Sequence, residues 1–195
     1  MSQLKSLLYA DLNRQFEIEG KPHLRPNVFR FLQRLLHFRY LPNVLCRTSR
    51  ALFLAGVPFL PHVFTYLNIV LFGLEVTPKC EIGPGVFFAH PNGTVIGARR
   101  VGSNVTFVQG VMVGAMRVGS MFDPSDRPLI GDNVVLNAGC KVLGCVEVGD
   151  GATVGANSLV LRSVPANATV LGVPAKLLYQ PAKPPEAVGA ALESD

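Results

Sequence analysis

Residues 148–160 read VGDGATVGANSLV, and an aliphatic residue returns at every sixth position of this stretch. A β-strand alternates with a period of two residues and an α-helix with a period of about 3.6 residues, so neither structure explains a spacing of six. The same spacing continues toward the N-terminus. Its apolar positions form three sets, which are Val76, Ile82 and Phe88, then Val101, Phe107 and Val113, then Ile130, Leu136, Val142, Val148, Val154 and Val160.

Small or aliphatic side chains also stand four positions after each member of the third set, and these are Val134, Cys140, Val146, Ala152, Ser158 and Val164. A hexapeptide pattern of this kind is typical of a parallel β-helix. Each repeat forms one short strand and one turn, and three repeats close a triangular coil around an aliphatic core. Glycine or asparagine tolerates the backbone angles at the corners. The sequence therefore predicts a mainly β fold, a parallel β-helix of hexapeptide repeats preceded by an N-terminal α-helical segment.

The limits of the repeat predict three regions along the chain. They are an N-terminal helical region (residues 1–74), a β-helix domain (residues 75–178) and a disordered tail (residues 179–195). The repeat is interrupted between Val113 and Ile130, which predicts a loop insertion at about residues 114–129. Because solenoids expel insertions as loops on one face, often the binding face, this loop is a candidate part of the functional site.

The N-terminal region predicts several short helices. Residues 1–19 and 28–40 have the pattern of amphipathic helices, and the second carries a basic face. Residues 51–74 contain no charged side chain, and a run of this length is compatible with a membrane span. Gly56 and Pro58 interrupt the run, however, and this favours two buried or interfacial helices.

The basic residues concentrate near the N-terminus, where residues 1–50 hold nine Lys or Arg against three Asp or Glu. Such a segment fits a solvated helical surface or an anionic membrane surface, so residues 30–74 are candidates for peripheral contact with the inner membrane face. The basic residues lack an interleaved stacking pattern, and we predict no nucleic-acid partner. The four cysteines form no CxxC pair and no metal spacing, which predicts a reduced, cytoplasmic setting and no metal site. Cys80 and Cys140 fall on the repeat where small residues belong, and we predict that they are small core residues.

Four stretches of the repeat region carry a family resemblance. They are FFAHPNGTVIG, VTFVQGVMVG, IGDNVVLNAGCKVLGCVEVGDGATVGANSLVLRSVP and ATVLGVPAKLL. Over about residues 70–178 the sequence resembles the serine acetyltransferase branch of the bacterial hexapeptide acyltransferases. The resemblance implies a left-handed β-helix, a homotrimer or a hexamer built from two trimers through the N-terminal helices, and acetyl-CoA as co-substrate in the groove between neighbouring β-helices.

His90 is the sole histidine within the repeats. Transfer of an acetyl group to a hydroxyl needs a base that takes the hydroxyl proton, and an imidazole titrates in a suitable range. Taken alone, His90 also fits an ordinary surface turn, and Glu75 a helix-end charge. The resemblance implies that His90 is the catalytic base and that Glu75, which stands where the family has an aspartate, is the carboxylate that orients it.

The resemblance also implies a set of contacts with acetyl-CoA. Ala115, Ala138 and Ala156 match the small residues against which the pantetheine arm lies, and Lys176 matches a position facing the nucleotide phosphates. Taken singly, each alanine suits a tight corner equally well. A backbone N–H around Gly114 is the candidate donor to the oxyanion of the tetrahedral intermediate.

The acceptor side of the predicted site departs from the family pattern. Serine acetyltransferases carry Asp-His at the catalytic turn, where this sequence has Ala89-His90. They carry Asp-Arg-His-Pro at the end of the insertion, where residues 125–128 read Ser-Asp-Arg-Pro. Asp126 and Arg127 are the candidate acceptor-binding residues. Depending on the alignment, Arg127 either replaces the family's histidine or remains the arginine that meets the serine carboxylate.

These changes favour a sugar over an amino acid as acceptor, because a zwitterion needs charged partners at both ends and a sugar hydroxyl does not. Acetyltransferases of exopolysaccharide clusters resemble the same branch. The sequence therefore predicts an acetyl-CoA-dependent O-acetyltransferase that acts on a sugar or an exopolysaccharide precursor. A serine O-acetyltransferase of cysteine biosynthesis is the first alternative, and a non-enzymatic trimeric scaffold is the second.

Overall fold

The computed structural model describes residues 2–35, 37–117 and 122–180, in which a helical segment precedes a β-helix. The helices of this described part are α1 (Ser2–Ile18), α2 (Val28–Arg34), α3 (Leu41–Leu54) and α4 (Leu60–Phe72). The strands are β1 (Leu74–Val76), β2 (Glu81–Ile82), β3 (Phe87–Phe88), β4 (Thr94–Ile96), β5 (Arg100–Val101), β6 (Thr106–Phe107), β7 (Met112–Gly114), β8 (Leu129–Ile130), β9 (Val135–Leu136), β10 (Lys141–Leu143), β11 (Glu147–Val148), β12 (Thr153–Val154), β13 (Leu159–Val160), β14 (Thr169–Leu171) and β15 (Lys176–Tyr179).

The strands form three sheets, and from β1 to β13 consecutive strands of the chain enter the three sheets in turn. The first sheet has the order β1-β4-β7-β10-β13, the second β11-β8-β5-β2, and the third β15-β14-β12-β9-β6-β3. Neighbouring strands are parallel, except that β15 runs antiparallel to β14. This topology is a stack of triangular coils, and it confirms the parallel β-helix that the six-residue spacing predicts.

The aliphatic positions of the repeat fill the interior of the stack. Of the predicted inward residues only Ile82 is half-buried, and the others are buried. In the first sheet the pairing register aligns one inward column, which consists of Val76, Ile96, Val113, Val142 and Val160. Fully burying an aliphatic side chain contributes about 1.5–3 kcal/mol, so this column is a large source of stability.

Asparagine and glycine occupy the corners, as the sequence predicts. Asn104 and Asn133 both adopt a left-handed conformation with φ near 56°. Asparagine tolerates this region better than other side chains that carry a Cβ. The Asn104 side-chain amide donates to the Asn133 side-chain oxygen over 3.3 Å, so successive corners are also joined by their side chains.

The helices cover the N-terminal end of the stack. Helix α4 lies against β1, and helices α1 and α3 lie against β3. At the far end, β15 folds back and pairs with β14. The outermost strands of the stack are therefore covered at both ends, although the repeat itself contains no signal that would stop it.

A buried ion pair joins the helices to the first coil. Asp11 accepts hydrogen bonds from Arg47 Nε over 3.0 Å and from Arg47 Nη2 over 2.9 Å. The same carboxylate accepts the backbone N–H groups of Gly85 and Val86, while Arg47 donates to the carbonyls of Ile82 and Gly83. The burial raises the pKa of the Asp11 carboxyl, and the Arg47 guanidinium opposes this change. The pair thus supplies hydrogen-bond partners to N–H and carbonyl groups of the first coil. In later coils, the equivalent groups bond to the backbone of a neighbouring coil.

The second predicted helix is shorter than expected, and this part of the prediction is wrong. Helix α2 ends at Arg34 rather than continuing to Tyr40. Tyr40 is buried between the helices, and its hydroxyl donates to the carbonyl of Leu8 over 2.8 Å. The chain turns before α3 to place this side chain, so tertiary contacts override the helical pattern.

Residues 51–74 form the end of α3 and the whole of α4, with the break between them at Gly56 and Pro58 as predicted. None of the helices that the structure describes has the length and apolar content needed to cross a membrane. Helix α4 is nevertheless poorly covered by protein, and Pro61 and Asn68 are its fully buried residues.

The insertion leaves the stack at the end of β7 and returns at the start of β8. Its residues 118–121 lie outside the described residues, as do residues 181–195 of the predicted tail. A short 3-10 turn, Pro124–Asp126, precedes the return, and Asp123 caps it by accepting the backbone N–H of Ser125 over 2.8 Å. Arg127 directly follows this turn, and its side chain reaches the carbonyl of Gly97 just after β4.

Candidate functional site

Two groups of predicted site residues lie beside the first sheet, one at the corner before its strands and one along its outer face. The first group occupies the corner where the chain passes from the third sheet to the first. There the turns of successive coils are stacked by backbone hydrogen bonds, which are Gly110 N–H to Asn92 carbonyl at 3.1 Å, Gly139 N–H to Gln109 carbonyl at 2.8 Å and Asn157 N–H to Ala138 carbonyl at 2.8 Å. We call these turns, residues 89–93, 108–110, 137–139 and 155–157, the His90 corner.

The His90 corner brings together three residues that the resemblance selects. His90 is exposed in the first of the stacked turns, Ala138 is half-buried in the third, and Ala156 is exposed in the fourth. Their shared register gives a ridge with small side chains along which an extended ligand can lie against backbone. Lys176 is exposed in β15, beyond this ridge at the end of the stack.

The second group surrounds a cavity of about 340 Å³ on the outer face of the first sheet. Its wall includes Glu75, Gly97, Gly114, Ala115, Arg117 and Arg127. Glu75 reaches it from β1, Gly114 from the end of β7, and Arg127 from the returning end of the insertion. The cavity therefore contains both signs of charge, with one carboxylate and two guanidinium groups in its wall.

Arg127 is held in place by two contacts. Its Nη1 donates to the carbonyl of Gly97 over 3.2 Å, and its guanidinium carbon lies 4.7 Å from the centroid of the Phe122 ring. The ammonium of Lys79 lies 5.5 Å from the same ring. An arginine over an aromatic ring gains about 0.5–2 kcal/mol, depending on how far it is desolvated. The guanidinium is thus fixed beside the cavity by Phe122.

Gly97 makes room for this arginine. A Cβ added at Gly97 would lie 2.6 Å from Nη1 of Arg127, which is closer than atoms in contact approach. Gly97 and Phe122 are functional residues that sequence reasoning missed. The available signals were a glycine at the end of β4 and an aromatic residue just before the capped turn, but neither indicates a partner without the folded insertion.

The structure does not join the predicted catalytic pair. Across the described residues, no hydrogen bond or ion pair connects Glu75 with His90. The corner after His90 does return to the start of the coil, because the Gly93 N–H donates to the carbonyl of Gly73 over 3.0 Å. The orientation of His90 by Glu75 stays a prediction, whereas the position of Glu75 in the cavity wall is observed.

The remaining predicted residues lie near the cavity or outside it. Ala115 and Gly114 are in its wall, and the carbonyl of Gly114 accepts the N–H of Gly144 over 2.9 Å. Asp126 is half-buried in the 3-10 turn and does not contribute to the wall. Within the ranges that the structure describes, no group of three His, Cys, Asp or Glu side chains is placed to bind a metal.

Two of the cysteines act as core residues. Burial raises the pKa of the Cys80 thiol to about 12 and that of the Cys140 thiol to about 12. At neutral pH both are protonated and unreactive, since the thiolate is the nucleophilic form. This agrees with the prediction that they are small residues of the repeat.

Comparisons with known sequences agree with the fold. The family model described as bacterial transferase hexapeptide (six repeats) matches residues 127–162. The serine acetyltransferase of Synechococcus elongatus is 34% identical over 151 residues, which cover 76% of this chain and 61% of that protein. The serine acetyltransferase of Mycobacterium tuberculosis is 35% identical over 158 residues, which cover 76% of this chain and 68% of that protein.

Solved structures of serine acetyltransferases are also similar to this chain, and they match a larger share of it. A serine acetyltransferase in complex with CoA has a TM-score of 0.77 and 26% identity, covering 91% of this chain and 70% of that chain. Soybean serine acetyltransferase complexed with serine has a TM-score of 0.78 and 29% identity, again covering 91% of this chain and 70% of that chain. These matches confirm the left-handed β-helix with N-terminal helices. Although it spans 61% of the cyanobacterial relative's length, the chain belongs to the serine acetyltransferase family.

Proposed function

We propose that the protein is an acetyl-CoA-dependent O-acetyltransferase whose acceptor is L-serine. The observation that carries the proposal is the cavity wall, in which the Glu75 carboxylate faces the same space as the Arg117 and Arg127 guanidinium groups. A free amino acid carries one ammonium and one carboxylate, and opposite charges in one small cavity complement both. The relatives named above also favour serine over the sugar acceptor that the changed motifs predict.

In this proposal His90 takes the proton from the serine hydroxyl as its oxygen attacks the thioester carbonyl of acetyl-CoA. The carbonyl oxygen becomes an oxyanion that needs a hydrogen-bond donor, and the backbone around Gly114 is the candidate. When the tetrahedral intermediate collapses, the carbon–sulfur bond breaks and the CoA thiolate receives the proton from the His90 imidazolium. The products are O-acetylserine and CoA, and His90 returns to its neutral form.

The remaining charges bind the acceptor. Arg127 is suited to the serine carboxylate, because its planar guanidinium is held by Gly97 and Phe122 and needs no reorganisation. Glu75 is suited to the ammonium, a role that in family members falls to the acid missing at Ala89. A Glu75→Gln variant separates this role from the predicted orientation of His90. Loss of ammonium binding raises KM for serine, whereas loss of orientation lowers kcat and changes its pH profile.

The proposed site is incomplete within one protomer. His90 does not contribute to the wall of the cavity: it lies in the corner before β4, whereas Arg127 bonds to the carbonyl of Gly97 just after β4. We therefore propose a homotrimer, alone or paired into a hexamer, in which His90 of one protomer serves the cavity of its neighbour. Acetyl-CoA would lie between them along the His90 corner, beside Ala138 and Ala156.

A sugar hydroxyl is the second candidate acceptor, and one specific observation favours it. Residue 89 is alanine rather than an acid, and residues 125–128 contain no histidine, so fewer polar groups are present than a serine site of this family uses. An acceptor without a zwitterionic head would tolerate these losses. Among sugar acceptors, the sequence predicts an exopolysaccharide precursor.

The test is the release of free thiol from acetyl-CoA by the purified protein. The acceptors are L-serine, serine amide (which lacks the carboxylate), β-hydroxypropionate (which lacks the ammonium), and a panel of sugars and nucleotide sugars. We expect turnover with serine and much weaker turnover with both truncated analogues. Turnover with sugars alone would overturn the serine proposal. Silence with every acceptor, in wild type and in His90→Ala alike, would favour the scaffold alternative.

A further inference from the structure

Helix α4 exposes most of its large apolar side chains and buries a polar one. Its fully buried residues are Pro61 and Asn68, and the Asn68 amide donates to the carbonyl of Pro42 over 3.2 Å. Large apolar side chains point outward instead, and they are Phe59 and Leu60 at its start, Val63, Tyr66 and Leu67 in its middle, and Val70 and Leu71 at its end. We call these seven side chains the α4 face. A surface helix normally shows the opposite arrangement.

The exposure of the α4 face is large and concentrated. Phe59 is 84% exposed and Val70 is 80% exposed. Phe59 also has a φ of 59°, which a bulky aromatic residue rarely adopts. Soluble proteins seldom leave a contiguous apolar patch of this kind in water unless it binds something.

The dimensions of α4 favour a helix that lies on a bilayer. It has 13 residues, and at a rise of 1.5 Å per residue it is about 20 Å long, shorter than the hydrocarbon core of about 30 Å. Its inner side is occupied by α3 and β1. One side is thus available, and a helix with one apolar side can enter the interfacial region to a depth of about 5–10 Å.

The charge of the neighbouring segment favours an anionic surface. Residues 1–50 carry nine basic side chains against three acidic ones, while residues 51–74 carry none of either sign. Arg47 and Arg34 are paired with Asp11 and Glu19, and the surplus lies on the other basic residues. The bond from Asn68 to Pro42 places the end of α4 beside the start of α3. The segment that leads into α3 presents Phe38, 49% exposed, with the Arg39 guanidinium 5.1 Å from its ring centroid. Apolar and basic groups of this kind together suit anionic lipid headgroups.

We propose that the α4 face docks the protein onto the anionic, cytoplasmic surface of a membrane, with the β-helix held beside it in water. This inference goes beyond the proposed acetyl transfer and does not depend on it. A membrane contact accounts both for the absence of charge in residues 51–74 and for the exposed apolar side chains of α4.

The chain contains no tryptophan, so a single introduced indole reports on its own surroundings. The probes are Phe59→Trp and Val70→Trp, and the matched control is Leu178→Trp, at an exposed position on the last strand. We expect vesicles of phosphatidylethanolamine and phosphatidylglycerol to shift the emission of both probes to shorter wavelength. The control should not respond. Vesicles of phosphatidylcholine alone should give a weaker response that depends little on salt.

Two results would overturn the proposal. The first is the same emission with and without anionic vesicles at every lipid concentration. The second is emission that is already at short wavelength in buffer and moves to longer wavelength on dilution, which would show that a second copy of the chain covers the face.

A second pair of variants tests the energetic contribution of the face. Val70→Gln with Leu71→Gln removes apolar area from exposed positions, and Leu161→Gln with Leu178→Gln removes it from the β-helix. Because binding scales with buried apolar area, we expect the first pair to lose about tenfold or more in co-sedimentation with the anionic vesicles. Equal binding by both pairs would contradict the proposal. Thiol release with a soluble acceptor should be unchanged by the first pair, which separates this test from that of the acetyl transfer.

Discussion

At the scale of single residues, the chemistry of the proposed reaction depends on one exposed imidazole. We predict that His90→Ala lowers kcat for thiol release by about 10²–10⁴-fold, which is the usual contribution of a general base. KM for acetyl-CoA should change little, because His90 makes no contact that the fold needs and is exposed. If the variant kept the wild-type kcat, the catalytic base would be a residue other than His90.

Gly97 offers a sharper test of the acceptor cavity, because it touches no proposed reacting group. Gly97→Ala places a Cβ where Nη1 of Arg127 lies, and the guanidinium must move away from the carbonyl that holds it. Hydrogen bonds to charged groups contribute about 1.5–3 kcal/mol, so we expect KM for serine to rise by about ten- to a hundredfold. KM for acetyl-CoA serves as the internal control. A parallel rise in both constants would indicate general distortion of the coil.

Arg127 was predicted from the sequence, but its partners were not. The sequence motif at the end of the insertion identifies the arginine, but it does not identify the residues that hold the arginine in place. Phe122 and Gly97 become visible as partners only when the insertion folds back over the first sheet, which no local pattern encodes. Glu75 is a different case, because the resemblance predicts that it orients His90, which stays a prediction, while the structure places it in the cavity wall.

At the scale of elements, the helices are attached to the β-helix through a buried ion pair whose loss should be costly. In Arg47→Met, the Asp11 carboxylate loses two hydrogen bonds and keeps its burial. We predict a fall of about 3–5 kcal/mol in the free energy of unfolding, measured by urea denaturation.

The matched control for this measurement is Arg100→Met. Arg100 lies 3.8 Å from Glu81, and both side chains are more than 60% exposed, at 64% and 62%. An exposed pair of this kind contributes about 0–1 kcal/mol. Equal effects of the two substitutions would show that the Asp11–Arg47 pair does not attach the helices.

A second ion pair, between the end of α1 and α2, makes a prediction about pH. Burial tends to raise the pKa of Glu19, but the Arg34 guanidinium, with Nη1 2.7 Å from Oε1, outweighs it and holds the pKa below its ordinary value of 4.5. The folded state thus favours the ionised carboxyl. Its contribution to stability is present above pH 4.5 and is lost as the pH falls through the lower, folded pKa. Between wild type and Glu19→Gln, we expect the difference in unfolding midpoint to shrink in acid, and a constant difference would contradict the pairing.

The elements themselves were predictable to different degrees. The six-residue period predicts most of the strands, because each inward position must supply an apolar side chain that fills the same narrow prism. The helices were less predictable, as Tyr40 shows, because its burial against Leu8 ends a pattern that would otherwise continue. Short helices depend on tertiary contacts that a periodic pattern does not contain.

At the scale of the whole molecule, we predict that the active site is shared between protomers. His90→Ala and Arg127→Ala should each be inactive with serine when prepared alone. If the two variants are mixed by co-expression, some sites combine the intact imidazole of one protomer with the intact guanidinium of its neighbour. Activity should therefore return in the mixed assembly. Activity no greater than the sum of the separate variants would place the whole site within one protomer.

The covered ends of the stack have a consequence for how long the molecule can be. Parallel coils add to one another without limit, since each presents to the next the same row of N–H and carbonyl groups. Here the Asp11 carboxylate and the Arg47 guanidinium occupy that row at one end, and β15 turns antiparallel at the other. These two terminators, rather than the repeat, fix the number of coils. We expect a chain without them to expose unpaired strand edges at both ends and to associate end to end into fibres.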